Sequence, residues 1–518
     1  MSDDGRAGSA LRVGIDVGGT NTDAVVLDAG DRIVARAKRP TSPDVTGGLR
    51  DALDAVLAEV GERGREVGRV MLGTTHATNA ILERRSLGRV AVVRLGAPAT
   101  RSIPPLTGWP EDLRHAVSAG EIIVGGGHFV DGRPIAPLER AGIRRFLAGV
   151  EADAVAVTGV FSPANPDQEH EVAEIVREEL GGGTPISLSH EIGSLGLVER
   201  ENAAVLNAAL YGVARDVTGA LRDALAGRGL APATYFTQND GTLMAVDHAA
   251  RYPVLTIGSG PANSLRGAVF LSGVPDAVVA DVGGTSTDLG VLVGGSPRES
   301  SAAVDIGGVT TGFRMPDILA IALGGGSVVR DGAVGPRSVG HRLTREALVF
   351  GGPTPTMTDA AVAAGRGRVG TRPVPAGEDV ARRLAAAVRR ADAMVADAVD
   401  RVLFGRADRP LVAVGGGAFI VPGAIPGVGE VVRPRDADVA NAVGAAVALA
   451  GGRFDTIVGA RGDREAAIER AGREAADRAV AAGADPSKVE IVELAEVPLS
   501  YLEGPAVRVH VKAVGPLK

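Results

Sequence analysis

Short apolar runs alternating with polar, glycine-rich turns organise the first hundred residues. Residues 11–15 and 24–27 are apolar and of strand length, 32–37 forms a third such run, and the first two are joined by a turn of glycine, threonine and aspartate. Over 47–60 the period changes: Leu49, Leu53, Val56, Leu57 and Val60 recur at three- and four-residue spacing, which predicts a helix. A strand at 70–72 then leads into the polar turn 73–79 and a helix through Ile81 and Leu82. Strands at 90–95 and 154–157 and a helix over 165–180 continue the alternation, which places the chain in the α/β class. Residues 100–137, rich in proline and glycine, read as an insertion over the site rather than as core.

The pattern restarts near residue 198. Residues 202–221 are apolar at helical spacing and read as a helix linking two lobes, and the runs 277–280 and 289–293 flank a second glycine turn. Apolar strands at 318–323 and 411–414 precede Gly324-Gly325-Gly326 and Gly415-Gly416-Gly417. An Ala/Arg helix covers 380–403, and a small-residue helix over 436–450 carries Ala440, Val443, Gly444 and Val447. From Asp463 the chain reads helix, strand, strand: Ala467, Ala471 and Ala475 form one stripe, and Val507, Val509 and Val511 alternate with Arg508, His510 and Lys512. The expected units are a first lobe at 11–197, a second at 198–452 and a small α+β appendage at 453–518.

The two glycine turns carry nearly the same phrase. Asp16-Val17-Gly18-Gly19-Thr20-Asn21-Thr22-Asp23 recurs as Asp281-Val282-Gly283-Gly284-Thr285-Ser286-Thr287-Asp288, differing only at Asn21 and Ser286. Each predicts a β-hairpin whose Gly-Gly pair lets backbone N–H groups approach an anion and whose threonines add hydroxyl donors, as a nucleotide phosphate tail requires. Carboxylates do not bind phosphate themselves; they fit a Mg²⁺ lying between them and the phosphates. Other nucleotide loops fit worse. A Walker loop needs a lysine that neither copy has, and a dinucleotide fingerprint opens a helix, whereas strand-like character resumes after Asp23 and Asp288.

Composition narrows the field. The chain has 518 residues, room for two or three domains, and a net charge of −7 without a basic block, which disfavours nucleic-acid binding. There is no cysteine, so disulfides, thiolate nucleophiles and Cys-ligated metals drop out, and the eight histidines show no zinc-ligand spacing. Residues 1–10 lack the basic and apolar regions of a signal peptide, and no apolar run is long enough to span a membrane. A cytoplasmic protein without membrane partners is expected.

Two phosphate hairpins on two similar lobes and a late strand-glycine turn resemble the superfamily of actin, the sugar kinases and the heat-shock chaperone ATPases. The implied fold is a two-lobed actin-like (ribonuclease H-like) ATPase with ATP between the lobes. Gly415, Gly416 and Gly417 would then back the adenosine, and 202–210 and 440–446 would be the lobe-connecting helices. The strings RVGIDVGGTNTDAVVLD, LGTTHATNAILER, SLSHEIG, NAAVLNAAL, GSGPANSLRGA, VADVGGTSTDLGVL and GFRMPDILAIALGGGSV resemble, more narrowly, the hydantoinase A / 5-oxoprolinase family over roughly residues 11–450. That family uses ATP to open cyclic amides, and related members are ATP-using subunits of ketone carboxylases. Full-length relatives carry a further C-terminal domain, and an Asp-Pro-Gly-Pro segment stands where this chain has residues 339–344. The resemblance implies a cyclic-amide substrate and a hydantoinase B-type partner subunit, and leaves homo-oligomers open.

Phosphorylating an amide oxygen converts it into a leaving group and leaves an electrophilic carbon, so the protein must hold the γ-phosphate and orient the attacking oxygen. Asp16 and Asp281 are the candidates for organising Mg²⁺, with Thr20, Thr285 and the amides of Gly18, Gly19, Gly283 and Gly284 on the phosphates. Asp23 or Asp288 would position or deprotonate a nucleophile. Spacing does not decide which aspartate is base and which is metal-side, and a turn-closing role for Asp23 and Asp288 is the plain alternative. Thr74, Thr75, His76 and Asn79 follow a strand's carboxyl end and are the substrate-facing candidates. His190 and Glu191 would line the cleft. Alternative functions are a carboxylase subunit, a small-molecule kinase of the same superfamily and a non-catalytic ATP-driven switch.

Overall fold

The computed structural model describes residues 11–41, 45–193, 195–300, 303–374, 377–403, 408–459, 464–499 and 506–518. Residues 1–10, read above for a targeting signal, lie outside them.

The largest sheet has nine strands in the order Glu490–Pro498, Ala506–Gly515, Ala450–Gly459, Leu243–Ala245, Ala233–Thr237, Val67–Thr74, Leu11–Val17, Asn21–Leu27, Ile33–Pro40. Leu11–Val17 is antiparallel to Asn21–Leu27 and parallel to Val67–Thr74. A second sheet repeats this plan: Val278–Val282 is antiparallel to Thr287–Val293 and parallel to Arg409–Val414. The duplication seen in the two phrases is therefore a duplication of topology, the α/β architecture expected of the actin-like fold. A third, fully parallel sheet runs Ser118–Gly125, Val90–Ala97, Ala154–Gly159, Ile186–Leu188. Every residue of Val90–Ala97 is buried, as a continuous apolar run covered on both faces should be.

Alternation along Asn21–Leu27 sorts its side chains to two faces. Ala24 and Val26 join Leu49, Leu53 and Val56 of the helix Val45–Val60, while Val25 and Leu27 face Ala442 and Val443. The helices Ser259–Ser272 and Ala440–Ala446 connect the two hairpin sheets: Leu265 and Ala268 bury against Val279 and Val412, and Ala442 and Val443 against Val25 and Met71. Their crossing depends on glycine. A Cβ on Gly267 would stand 1.9 Å from the Ala440 carbonyl oxygen, and one on Gly444 1.9 Å from that of Asn263.

Three expectations change. The helix expected over 202–221 is two helices, Leu197–Ala209 and Tyr211–Ala226; the first packs on the parallel sheet, so the partner of Ala440–Ala446 is Ser259–Ser272. Residues 100–137 are not an excursion over the site. They supply the helix Glu111–Val117 and the edge strand Ser118–Gly125, bury Leu106, Trp109 and Leu113, and are tied down by Trp109 Nε1 donating to Asn202 Oδ1 at 2.8 Å. The tail does not stand apart either. Ala450–Gly459 pairs with Ala506–Gly515 and extends the first-hairpin sheet, to which Ala233–Thr237 and Leu243–Ala245 also belong. The stripe Ala467, Ala471, Ala475 is fully buried against Val509 and Val511.

Candidate functional site

In both hairpins the paired aspartates face each other across the ladder, Asp16 opposite Asp23 and Asp281 opposite Asp288. Each turn is closed by its first glycine: Gly18 N–H donates to the Asn21 carbonyl at 3.0 Å and Gly283 N–H to that of Ser286 at 2.9 Å. Those two amides are thus committed to the turn. The amides of Gly19, Thr20, Gly284 and Thr285 donate to no protein acceptor among the described residues.

The glycines are not demanded by the backbone. Gly18, Gly19, Gly283 and Gly284 all lie outside the positive-φ region. A Cβ on Gly19 would meet nothing within 4 Å, and one on Gly284 would touch only the Thr20 side chain, at 3.4 Å. What the second glycine of each pair preserves is empty space beside unpaired N–H groups, which is the requirement of a bound anion.

Each turn is braced from behind. Thr41 Oγ1 donates to the Gly18 carbonyl at 2.7 Å and Thr41 N–H to that of Thr20 at 3.0 Å. The triplet 324–326 serves the second turn, with Gly325 N–H on the Gly283 carbonyl at 3.0 Å and Gly326 N–H on that of Gly284 at 2.7 Å. A Cβ on Gly324 would be 2.6 Å from Thr285 N, so this triplet is glycine in order to approach the hairpin.

Asp16, 6 % exposed, is reached by two asparagines from the crossing helices: Asn263 Nδ2 at 3.4 Å from Oδ1 and Asn441 Nδ2 at 3.5 Å from Oδ2. Burial and then the charge of Asp23 push its carboxyl up to about 6, against the two asparagine bonds. Burial also raises Asp281, opposed by bonds from Ser264 and Asn441. Burial and the charge of Asp281 lift Asp288 to about 7. Asp23 is raised by burial against the pull of Lys38, whose Nζ lies 2.7 Å from Oδ2. The structure therefore gathers all four aspartates into one mutually repelling set. Neither Asp23 nor Asp288 bonds a turn amide among the described residues, so the turn-closing alternative does not apply.

A cation relieves such a set, and the donors suit Mg²⁺. Among the described residues no three acidic or histidine groups are arranged to hold a metal alone; Mg²⁺ characteristically takes one or two carboxylates and completes its shell with phosphate and water.

The second triplet stands beside the same carboxylates. Gly415 has φ +84°, and a Cβ there would be 2.3 Å from Asp281 Oδ1; Gly417 N–H donates to the Val282 carbonyl at 2.8 Å, and Gly416 has open space around its Cα.

Thr74, Thr75, His76 and Asn79 make hydrogen bonds within their turn and to the first hairpin. Thr75 donates to the Val17 carbonyl through both N–H (3.2 Å) and Oγ1 (3.1 Å), Asn79 Nδ2 donates to Thr75 Oγ1 at 3.4 Å, and His76 Nδ1 pairs with Thr74 Oγ1 at 2.5 Å. Burial lowers the His76 pKa. Thr74 and His76 adjoin a void of only about 20 Å³, too small for a cyclic amide. Of these four, Thr75 ties the turn to the end of Leu11–Val17. His190 and Glu191 line a different and larger cavity, of about 580 Å³.

Lys38, Asn263 and Asn441 escaped the sequence reading. Lys38 lies one residue past the strand expected at 32–37, and only the register of the folded ladder sets it opposite Asp23. The asparagines sit in helices of small residues whose crossing no local pattern discloses.

Comparison with known proteins places this geometry. The sequence profile for the hydantoinase/oxoprolinase N-terminal region matches residues 12–180, and that for hydantoinase/oxoprolinase matches residues 200–400. The acetophenone carboxylase gamma subunit of Aromatoleum aromaticum is 30 % identical over 390 residues, 68 % of this chain and 53 % of its own length. The caprolactamase subunit alpha of Pseudomonas jessenii is 28 % identical over 389 residues, 68 % of this chain and 54 % of its own length. The chain thus spans about half the length of these relatives. The crystal structure of the ATP-dependent caprolactamase from Pseudomonas jessenii covers 98 % of this chain and 88 % of its own with a TM-score of 0.77 at 20 % identity, which is a shared fold. The two matching profiles together span most of the sequence, and the chain belongs to the hydantoinase/oxoprolinase family.

Proposed function

We propose that this chain is the ATP-binding component of an enzyme that phosphorylates the oxygen of a cyclic amide and so opens the ring. One observation carries the nucleotide half of the reading: at Gly19 and Gly284 the fold has room for a side chain and leaves it empty, beside amides without acceptors. The phosphate chain takes those amides with the Thr20 and Thr285 hydroxyls, Gly416 leaves clearance for the adenosine, and Asp16 and Asp281 are the residues that would hold Mg²⁺. Bound there, Mg²⁺ neutralises phosphate charge that would otherwise repel both the carboxylates and the attacking oxygen.

The reaction divides into two stages. The amide oxygen attacks the γ-phosphorus as the bond to ADP breaks, giving an O-phosphorylated imidate. Water then adds to the imidate carbon, the C–N bond breaks as its nitrogen takes a proton to leave an acyl phosphate with a free amine, and a second water releases phosphate and gives the amino acid. Asp288, held near pH 7 by burial and by Asp281, is suited to exchanging a proton at neutral pH. Lys38 opposes the upward push of burial on Asp23 and adds positive charge to the carboxylate set. Both relatives are named as subunits of larger enzymes, and we assign this chain a partner subunit of hydantoinase B type for the hydrolytic half.

Ketone carboxylation is the second reading, favoured by the 30 % identity to an acetophenone carboxylase subunit. Both readings share phosphorylation of a carbonyl or enolate oxygen and differ in the need for bicarbonate. The test is ADP release by the purified chain and by its complex with a B-type subunit, with lactams, hydantoins or ketones, each with and without bicarbonate. Stimulation by a cyclic amide without bicarbonate supports the proposal; stimulation only by a ketone with bicarbonate replaces it with the second reading. A stable phosphorylated product would instead indicate a kinase.

A further inference from the structure

The chain contains four lysines, at 38, 488, 512 and 518, among 55 basic residues. Everywhere else its positive side chains are arginine, including Arg36 and Arg39 on the strand Ile33–Pro40 that carries Lys38. Three of the lysines belong to the tail, and Lys38 lies beside the first hairpin.

The nine-stranded sheet sets Lys38 at one end of a row that crosses four strands. Lys38 is opposite Asp23, Asp23 opposite Asp16, and Asp16 opposite Gly73. Directly paired positions project to one face of a sheet. At the far end there is no side chain because the Asp16 carboxylate lies over it: a Cβ on Gly73 would be 2.5 Å from Asp16 Oδ1. At the near end Lys38 Nζ stands 2.6 Å from Asp23 Oδ1 and 2.7 Å from Oδ2. This is the one ion pair that any of the four aspartates makes among the described residues. The amine also faces the second hairpin. Its charge acts on Asp281 as well as on Asp23, and the two turns meet, since a Cβ on Gly284 would be 3.4 Å from Thr20 Cγ2.

The pair is a poor device for stability alone. Only 14 % of the Asp23 side chain is exposed, against 33 % of Lys38, and a carboxylate taken out of water loses hydration that one partly exposed ammonium returns incompletely. Arg36, two residues earlier on the same face, bridges to Asp436 at 2.8 Å and Asp438 at 2.9 Å. Those two carboxylates are thereby occupied, and Lys38 is left with Asp23. A guanidinium is a rigid fork, whereas an ammonium is a compact charge on a flexible four-carbon stem and binds phosphate as a point charge. One strand spacing of about 5 Å separates Lys38 from Asp23, and another separates Asp23 from Asp16. The amine therefore reaches a phosphoryl group above Asp16 by turning its own side chain.

We propose that Lys38 is a catalytic residue of the phosphoryl transfer: its ammonium exchanges Asp23 for the γ-phosphate of ATP and neutralises that group as it passes to the carbonyl oxygen. The bond from the γ-phosphorus to the bridging oxygen breaks, that oxygen leaves on ADP, and the bond from phosphorus to the acceptor oxygen forms; Lys38 keeps its proton throughout. A cation placed where the phosphoryl charge spreads stabilises the transition state. ADP has no phosphoryl group at that place, so the amine returns to Asp23 and the exchange distinguishes ATP from its product. The inference rests on the nucleotide half of the reading above and holds for an amide or a ketone acceptor alike.

The test uses the full chain with Mg²⁺ and two probes, the non-hydrolysable analogue AMPPNP and ADP. By calorimetric titration Lys38→Met should weaken AMPPNP binding at least about tenfold and ADP binding by less than about threefold. The AMPPNP loss should persist when Lys38→Met is made in Asp23→Asn, because the amine acts on the phosphate and not through Asp23. Four lysines make a second readout simple. In wild type carrying ¹³C-lysine, the Lys38 ε-methylene signal is the one missing from Lys38→Met, or from Lys38→Arg should the methionine variant not fold. It should move with AMPPNP and stay near its nucleotide-free position with ADP. Equal losses for the two nucleotides, no loss, a loss that vanishes in the Asp23→Asn background, or a Lys38 signal that moves alike with both would overturn the proposal and leave nucleotide binding at the hairpins standing. A wild-type chain that binds neither nucleotide would overturn both.

Discussion

Replacing Asp288 with asparagine removes a carboxyl that burial and the charge of Asp281 push up to about 7. Moving a carboxyl from 3.8 to about 7 separates its two protonation states by ~4 kcal/mol. Water reaches part of this side chain, so ~2–4 kcal/mol is the range to expect. The sign follows from proton counting. The folded chain holds the Asp288 proton more tightly than the unfolded chain, so its contribution to stability is complete below about pH 4, declines as pH rises through about 7, and is lost above. Asp16, pushed up to about 6, acts in the same direction. Asp240 and Asp455, whose pKa values are lowered, lose their contributions only in acid, below this window, and cancel between wild type and variant. The assay is urea unfolding of the nucleotide-free protein between pH 4.5 and 8. Wild type should lose ~2–4 kcal/mol relative to Asp288→Asn across that interval. Parallel pH profiles, or wild type gaining on the variant as pH rises, would refute the coupling of the four aspartates.

Other substitutions test the framework. Arg94 and Glu201 form a fully buried bidentate pair, with Nε to Oε2 at 2.6 Å and Nη2 to Oε1 at 2.5 Å, and Glu201→Ala should lower stability in urea unfolding by ~3–5 kcal/mol because the guanidinium is left unpaired. Gly444→Ala forces a methyl toward the Asn263 carbonyl; a loss of ~1–3 kcal/mol is expected, together with weaker nucleotide binding in titration, because Asn263 and Asn441 move off Asp16. His76→Leu should leave nucleotide affinity within about threefold of wild type and lower stability by only ~1 kcal/mol, the worth of its bond to Thr74.

The duplicated hairpins were legible because the phrase couples turn chemistry to flanking strand periodicity, and strand identity at 11–15 and 277–280 follows from short apolar runs. The crossing helices were less so. Residues 202–221 have helical spacing throughout, and nothing local announces the break at Leu210 or assigns the connecting role to Ser259–Ser272. That role depends on Gly267 and Gly444 meeting across nearly two hundred residues of chain. The segment 100–137 was misread because proline and glycine density masks the spacing of Trp109, Leu113 and Val117, which close one core. Membership of the tail in the nine-stranded sheet is long-range pairing, invisible to periodicity. Thr74, Thr75, His76 and Asn79 stand at a strand's carboxyl end, as expected, and their bonds to Val17 and to one another are contacts that the spacing alone does not disclose. Two carboxylate-held imidazoles beside the larger cavity come from distant segments, Glu169 with His190 and Asp455 with His510, and only folding pairs them.

The most direct test of nucleotide binding at the hairpins is a calorimetric titration of wild type and Gly19→Val with ATP and Mg²⁺, beside their thermal unfolding. A Cβ added there meets nothing within 4 Å, so the melting temperature should be little changed, while affinity should fall at least about tenfold as the valine occupies the phosphate's place. A stable Gly19→Val that binds ATP as tightly as wild type, or a wild-type chain that binds none, would contradict it.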